Sequence, residues 1–169
     1  MSQTLLVVVA STRPGRIGPH VGRWFAERAA ATGEWEVDVA DLAEVGLPLL
    51  DEPHHPRLGR YVHDHTKAWS ARVDRADAVV LVTPEYNHST SGALKNAIDF
   101  LFAEWNNKAV GFVGYGSVGG ARAVEHLRLI AGELMLADVR AQVLRLAEAR
   151  EVEVFVEEVA HALGRRVDL

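Results

Sequence analysis

The sequence contains no cysteine. That absence excludes disulfides, thiolate metal sites and thiol redox chemistry, so any electrons the protein handles must sit on a bound cofactor. It also lacks an excess of positive charge: 18 Lys and Arg stand against 23 Asp and Glu, for a net charge of −5. A general nucleic-acid binder wants a basic surface, so no nucleic-acid partner is expected. No apolar run is long enough for a signal sequence or a membrane span, and the stretch Met1–Gly15 carries no basic leader. A cytoplasmic protein without a membrane partner is the expectation. Repeats and low-complexity tracts are absent too. The eight histidines are scattered, with His54-His55 in a proline-bearing stretch and no HExxH spacing, so no metal site is expected.

What is present is an ordinary globular composition, 49% hydrophobic and 24% charged over 169 residues. That length suits one substantial core, and the chain 1–169 reads as a single domain. Leu5–Val9 and Ala78–Val82 are short β-branched runs of the kind buried on both faces of a sheet. Val110–Tyr115 is a third such run, loosened by Gly111 and Gly114. Trp35–Val39 and Val139–Val143 alternate apolar with polar residues, which leaves one face wet and suits sheet edges. Between these runs lie helical stripes. One is Ile17, Val21, Trp24, Phe25 and Ala29; another is Leu94, Ala97, Ile98, Leu101 and Phe102; the last is Val152, Phe155, Val156, Val159 and Leu163. Further helices are expected around Arg60–Asp74 and Gly120–Leu134. Alternating β and α units with right-handed crossovers give a five-stranded parallel sheet covered on both faces. Two edge-like and three central strands fit the order 2-1-3-4-5, the flavodoxin-like α/β three-layer sandwich.

Ligands in such sheets bind beyond the carboxyl ends of the strands, where the strand order reverses. Three loops meet there. The first, Ala10–Gly18, offers the hydroxyls of Ser11 and Thr12, the guanidinium groups of Arg13 and Arg16, two glycines and a helix N-terminus, which together make an anion nest. It lacks GxxxxGK[ST], so it is not the ATPase phosphate loop. A plain helix-capping turn with two solvated arginines is the competing reading. The second loop, Thr83–Gly92, is polar and feeds a helix bearing Lys95, Asn96 and Asp99. Tyr86 offers it a flat surface and Asn87 a donor–acceptor pair; the alternative is a turn whose Ser or Thr caps the helix. The third loop reads Gly114-x-Gly116-x-x-Gly119, with Asp138 placed 19 residues further on. This matches the dinucleotide fingerprint formally, but the fingerprint normally follows the first strand of its unit. Glycines that bring the loop close to a bound cofactor are the preferred reading.

Thr83-Pro84-Glu85-Tyr86-Asn87, followed by Gly92-Ala93-Leu94-Lys95-Asn96-Ala97-Ile98-Asp99, resembles the central motif of the NADPH-dependent FMN reductase family. Ser11–Gly18, Leu47–Asp51 and Gly116–Arg122 extend the resemblance over nearly the whole chain. Family members include FMN-containing quinone, chromate and azo reductases with the flavodoxin-like fold. By this resemblance Ser11, Arg13, Arg16, Ile17 and Gly18 would hold the FMN phosphate. Pro84, Glu85, Tyr86 and Asn87 would line the isoalloxazine and ribityl chain, and Ser117, Gly119 and Gly120 would close over the pyrimidine side. The resemblance implies FMN as cofactor, NADPH or NADH as co-substrate, and a homodimer or homotetramer. His88 and Ser91 depart from the family pattern beside the expected flavin face and bear on substrate preference. The stretch Asp51–Arg60 reads equally as a substrate-side flap or a surface connection.

The expected activity is hydride transfer from NAD(P)H through FMN to free flavin, a quinone or another small acceptor. No catalytic side chain is assigned. His88 stands open between a proton donor and a pocket wall. An FMN-binding electron carrier or redox sensor without NAD(P)H turnover is the alternative.

Overall fold

The computed structural model describes residues 3–139. Five strands form one sheet: β1 (Gln3–Val9), β2 (Trp35–Asp41), β3 (Ala78–Pro84), β4 (Ala109–Tyr115) and β5 (Ala137–Asp138). Their order is β2-β1-β3-β4-β5 and every neighbouring pair is parallel, as the sequence pattern requires. The helices are α1 (Gly18–Ala31), the single turn α2 (Leu42–Val45), α3 (Asp64–Asp74), α4 (Gly92–Asp99) and α5 (Ala121–Glu133).

Successive side chains in a strand point to opposite faces. Leu5, Val7, Ala78, Val80 and Val82 therefore pack on one side, against Val21, Phe25 and Ala29 of α1. Leu6, Val8, Val79 and Leu81 pack on the other, with Trp69 of α3, Leu94 and Ile98 of α4, and Leu127 of α5. Phe25 and Trp69 are almost wholly buried, and truncating either to Ala would cost about 3–5 kcal/mol. The Trp69 indole remains satisfied there, donating from Nε1 to the Ala97 carbonyl at 2.9 Å.

Several boundaries differ from the sequence pattern, each for a local reason. Ile17 is the residue before α1 and is exposed, so the core stripe of α1 begins at Val21. α3 starts at Asp64 rather than near Arg60, because Glu52 accepts the main-chain N–H groups of Val62 (2.9 Å) and His63 (3.1 Å). α4 ends at Asp99; Leu101 is still buried, but from the turn beyond the helix. β5 covers Ala137–Asp138 among the described residues, ahead of the expected run Val139–Val143; Val139 follows the strand, and the remainder of that run and the stripe Val152–Leu163 lie outside the described residues. No helix among the described residues is long and apolar enough to cross a membrane.

The register sets the site. Val9 lies opposite Val82, Thr83 opposite Gly114 and Pro84 opposite Tyr115, so β1, β3 and β4 discharge their following loops at one edge.

Candidate cofactor-binding site

The loop after β1 is open and cationic. Thr12, Arg13, Pro14 and Gly15 are exposed, and the only loop-internal main-chain bond runs from Arg16 N–H to the Arg13 carbonyl at 3.2 Å. α1 then begins with no side-chain cap and no acidic residue in its first turn. Pro19 has no N–H and the His20 N–H bonds to the Ile17 carbonyl at 3.0 Å, so the first turn offers the loop the Gly18 N–H and its partial positive charge. Arg16 is anchored from outside: its Nη1 donates to Asp41 Oδ2 at 2.9 Å. Asp41 ends β2 and uses its other oxygen to accept the Ala43 N–H at 3.0 Å, capping α2. Sequence reasoning missed Asp41, whose signal was an acidic residue between a strand and a short helix.

Below this loop, Ser11 is fully buried and Tyr115 nearly so. Neither the Ser11 Oγ nor the Tyr115 hydroxyl has a hydrogen-bond partner of good geometry among the described residues. Both crowd against Gly18. A Cβ added there would lie 2.1 Å from Ser11 Oγ and 2.7 Å from the Tyr115 oxygen, so only glycine fits.

The loop after β3 is the reverse case, with its polar groups matched inside the protein. Tyr86 and Ser89 exchange main-chain hydrogen bonds of 2.9 and 3.1 Å around Asn87 and His88. Those two residues have φ of 48° and 72°, the left-handed pair of a type I′ turn. Thr83 and Thr90 share a hydroxyl–hydroxyl bond at 2.7 Å. Ser91 caps α4 by accepting the Leu94 N–H at 3.2 Å, and its hydroxyl donates to the Ala10 carbonyl at 2.7 Å. The expected helix cap is thus real, and it also laces the second loop to the first.

One face of α5 holds the same turn at two points. Arg122 pairs with Glu85, its main-chain N–H also reaching Oε2 at 3.2 Å. That pairing holds the Glu85 carboxyl below the usual range, against the opposing effect of desolvation. One helical turn on, His126 Nδ1 lies 2.9 Å from Ser89 Oγ, and its ring sits 5.9 Å from that of His88. Residues at i and i+4 share a helix face, which is why Arg122 and His126 act together.

A cleft of about 240 Å3 opens between these loops, lined by Arg13, Arg16, Ile17, Pro84, Glu85 and Tyr86, with Tyr115 and Gly116 completing it. Ser11 and Gly18 lie buried beside Tyr115. Asn87, Ser117, Gly119 and Gly120 are not in the lining. The glycines of the third loop serve its own packing: a Cβ on Gly120 would meet Tyr115 N at 2.7 Å and Gly114 Cα at 2.8 Å. The dinucleotide reading of this loop also loses its acidic residue, since Asp138 is engaged by Arg128.

A wider groove of about 770 Å3 lies between α4 and α5, but its cations are committed elsewhere. Arg57 pairs with Glu133 and stacks on Phe102, and Lys95 pairs with Asp99. The smaller cleft, with Arg13 exposed, an uncapped helix and hydroxyls without partners of good geometry, is the better site for an anionic ligand. The stretch Asp51–Arg60 is a largely exposed connection with a 3-10 turn at Pro56–Leu58, and His55, Pro56 and Arg57 line the wider groove. Its near end is fixed by Asn96, which donates to the Pro48 carbonyl at 2.7 Å and accepts the Leu50 N–H at 2.9 Å. Among the described residues no group of three or more His, Asp or Glu could hold a metal ion.

Residues 4–151 match the family model described as NADPH-dependent FMN reductase. The chain belongs to the NADPH-dependent FMN reductase family. It is 37% identical over 134 residues to an NAD(P)H-dependent FMN reductase of Schizosaccharomyces pombe, covering 78% of this chain and 67% of that one. It is 34% identical over 140 residues to a quinone reductase of Escherichia coli, covering 77% and 71%. An FMN-dependent NADPH-azoreductase of Staphylococcus saprophyticus is 32% identical over 144 residues, covering 82% and 74%. In fold, the chain is similar to a flavoenzyme NAD(P)H:acceptor oxidoreductase of Paracoccus denitrificans, with a TM-score of 0.77, 20% identity and coverage of 97% and 98%.

As a member of this FMN reductase family, the protein is an oxidoreductase with FMN as cofactor and NAD(P)H as co-substrate. The residues present fit that cofactor. A phosphate monoester needs several donors and positive charge, and the cleft offers two arginines, an uncapped helix N-terminus and two hydroxyls without partners.

Proposed function

We propose that the whole chain forms one FMN-binding domain whose cleft at the β1, β3 and β4 edge carries the family's chemistry. Ser11, Arg13, Arg16, Ile17 and Gly18 hold the phosphate. Pro84, Glu85, Tyr86 and Asn87 flank the ring and ribityl chain, with Ser117, Gly119 and Gly120 at the pyrimidine side. The observation that supports this most is the set of unpartnered donors around Gly18, because buried hydroxyls normally find partners. FMN, when bound, supplies the hydride relay between NAD(P)H and an acceptor.

The protein's own part is binding and orientation. Arg13 and Arg16 supply charge, with Asp41 fixing where the second guanidinium sits. Glu85 and Ser89, gripped by Arg122 and His126, keep Tyr86 at the rim. Tyr86 is partly exposed there and offers a flat wall to a planar acceptor such as a quinone, a free flavin or an azo compound. His88 projects from the left-handed turn at the same rim and meets the acceptor as a wall. The working form is a homodimer or homotetramer in the cytoplasm.

The deciding experiment is the visible spectrum of the protein with equimolar FMN under anaerobic conditions, before and after NADPH. A protein-perturbed flavin spectrum that bleaches rapidly on NADPH addition is the expected result. A perturbed spectrum that survives NADPH would reassign the protein as an electron carrier or sensor, and an unperturbed one would overturn FMN binding.

A further inference from the structure

Two buried hydroxyls without partners are an unusual liability, since each forgoes a hydrogen bond it makes in water. Ser11 Oγ and the Tyr115 hydroxyl share that condition, and they share a place. Both press on Gly18, the first residue of α1, so they stand at the uncapped N-terminus of that helix. Tyr115 lines the cleft with Arg13 and Arg16. Tyr115 is the last residue of β4 and Ser11 follows β1 by two positions, so two different strands deliver hydroxyls to one point.

We propose that the Tyr115 hydroxyl, paired with that of Ser11, is a direct donor to the cofactor's phosphate and makes the site selective for FMN over unphosphorylated riboflavin. The proposal rests on the FMN reading of the cleft and names a residue that reading did not include. Arg13 attracts a dianion from the rim and Arg16 is already paired with Asp41, so neither charge by itself discriminates well. A buried hydroxyl that stays unsatisfied without phosphate discriminates well, because the wrong ligand leaves it unpaired. Burial pushes the phenol's pKa up, opposed by its approach to the Ser11 hydroxyl and by the Arg16 and Arg13 charges. The two hydroxyls lie near each other without the geometry of a good hydrogen bond, so the phenol keeps its proton at neutral pH and has it to donate.

The test compares wild type with Tyr115→Phe and Ser11→Ala in two measurements: titration of FMN and of riboflavin by flavin fluorescence, and urea unfolding of the flavin-free protein. Tyr115→Phe should weaken FMN binding roughly tenfold or more, the scale of a charge-assisted hydrogen bond, and leave riboflavin within about twofold. Its flavin-free form should be as stable as wild type or more so, because the variant removes a buried hydroxyl that makes no hydrogen bond of good geometry. Ser11→Ala should repeat the pattern, which keeps the test open if Tyr115→Phe folds poorly. Equal losses for FMN and riboflavin, or an unchanged FMN affinity, would overturn the proposal. A clear loss of flavin-free stability in both variants would also overturn it, by revealing that the two hydroxyls bond each other. Should the wild type bind neither flavin, the FMN reading itself falls. Tight wild-type binding with an indifferent Tyr115→Phe removes only this inference.

Discussion

The two loops that face each other across the cleft solve opposite problems. The loop after β3 has nearly every polar group matched inside the protein: Thr83 with Thr90, Ser91 with Ala10 and Leu94, Glu85 with Arg122, and Ser89 with His126. The loop after β1 leaves Ser11 unpartnered, Arg13 exposed and the head of α1 uncapped. Satisfied groups fix a shape, and unsatisfied ones await a ligand. Substitutions in the first loop should therefore alter binding more than stability, and those in the second and third loops stability more than binding.

The largest expected effect lies in the third loop. Gly120→Ala places a Cβ 2.7 Å from Tyr115 N in a residue at φ 72°, combining backbone overlap with left-handed strain. A loss of about 3 kcal/mol in urea unfolding is expected, and a variant as stable as wild type would show that the loop relaxes freely. Next comes the first loop. Arg16→Ala should cost about 1.5–3 kcal/mol of FMN binding and, by freeing Asp41, some stability as well. Arg13→Ala should weaken FMN while leaving urea unfolding unchanged, and a stability loss there would blur the contrast. Ser91→Ala, in the second loop, removes a helix cap and the partner of the buried Ala10 carbonyl. About 2 kcal/mol of stability should go, with little change in FMN affinity beyond it.

The smallest effect is a dependence on pH. Arg122 depresses the folded pKa of Glu85 below its ordinary 4.5. A carboxyl shifted that way contributes stability that is complete above the unfolded pKa and disappears as pH falls through the folded one. The stability gap between wild type and Glu85→Gln should therefore be present at neutral pH and close on acidification below about 4.5. A gap that is constant with pH would mean that the ion pair contributes through shape alone.

Much of this was legible in the sequence, because it rested on local patterns. Three apolar runs at Leu5–Val9, Ala78–Val82 and Val110–Tyr115 and the alternating Trp35–Val39 were enough to place four strands at the centre and edge, and the strand order followed. The positions of the site loops came with it, as ligands gather where the order reverses. What escaped were contacts between residues far apart in the chain. Asp41 reaches Arg16 across 25 residues, Asn96 reaches Pro48 across 48, and His126 reaches Ser89 across 37. No window of sequence shows such a pair. Tyr115 was visible as the residue opening the glycine loop, yet only the packing on Gly18 reveals what its hydroxyl lacks. The glycines of that loop carry a second constraint that spacing does not show, because Gly114 and Gly120 make room for each other.

The pairing of β1 with β3 has a consequence for how the protein comes into being. Leu5 to Val9 must find Ala78 to Val82, more than seventy residues away, before the central strands exist as neighbours. Contacts of such sequence separation form slowly, because the intervening chain must first surrender its freedom. The cleft draws on residues from both sides of that long closure, so no short fragment of the chain contains it. FMN can capture only chains that have already closed, and each captured chain is withdrawn from unfolding by mass action. During synthesis, then, cofactor supply should govern how much closed protein persists, not how fast it first closes.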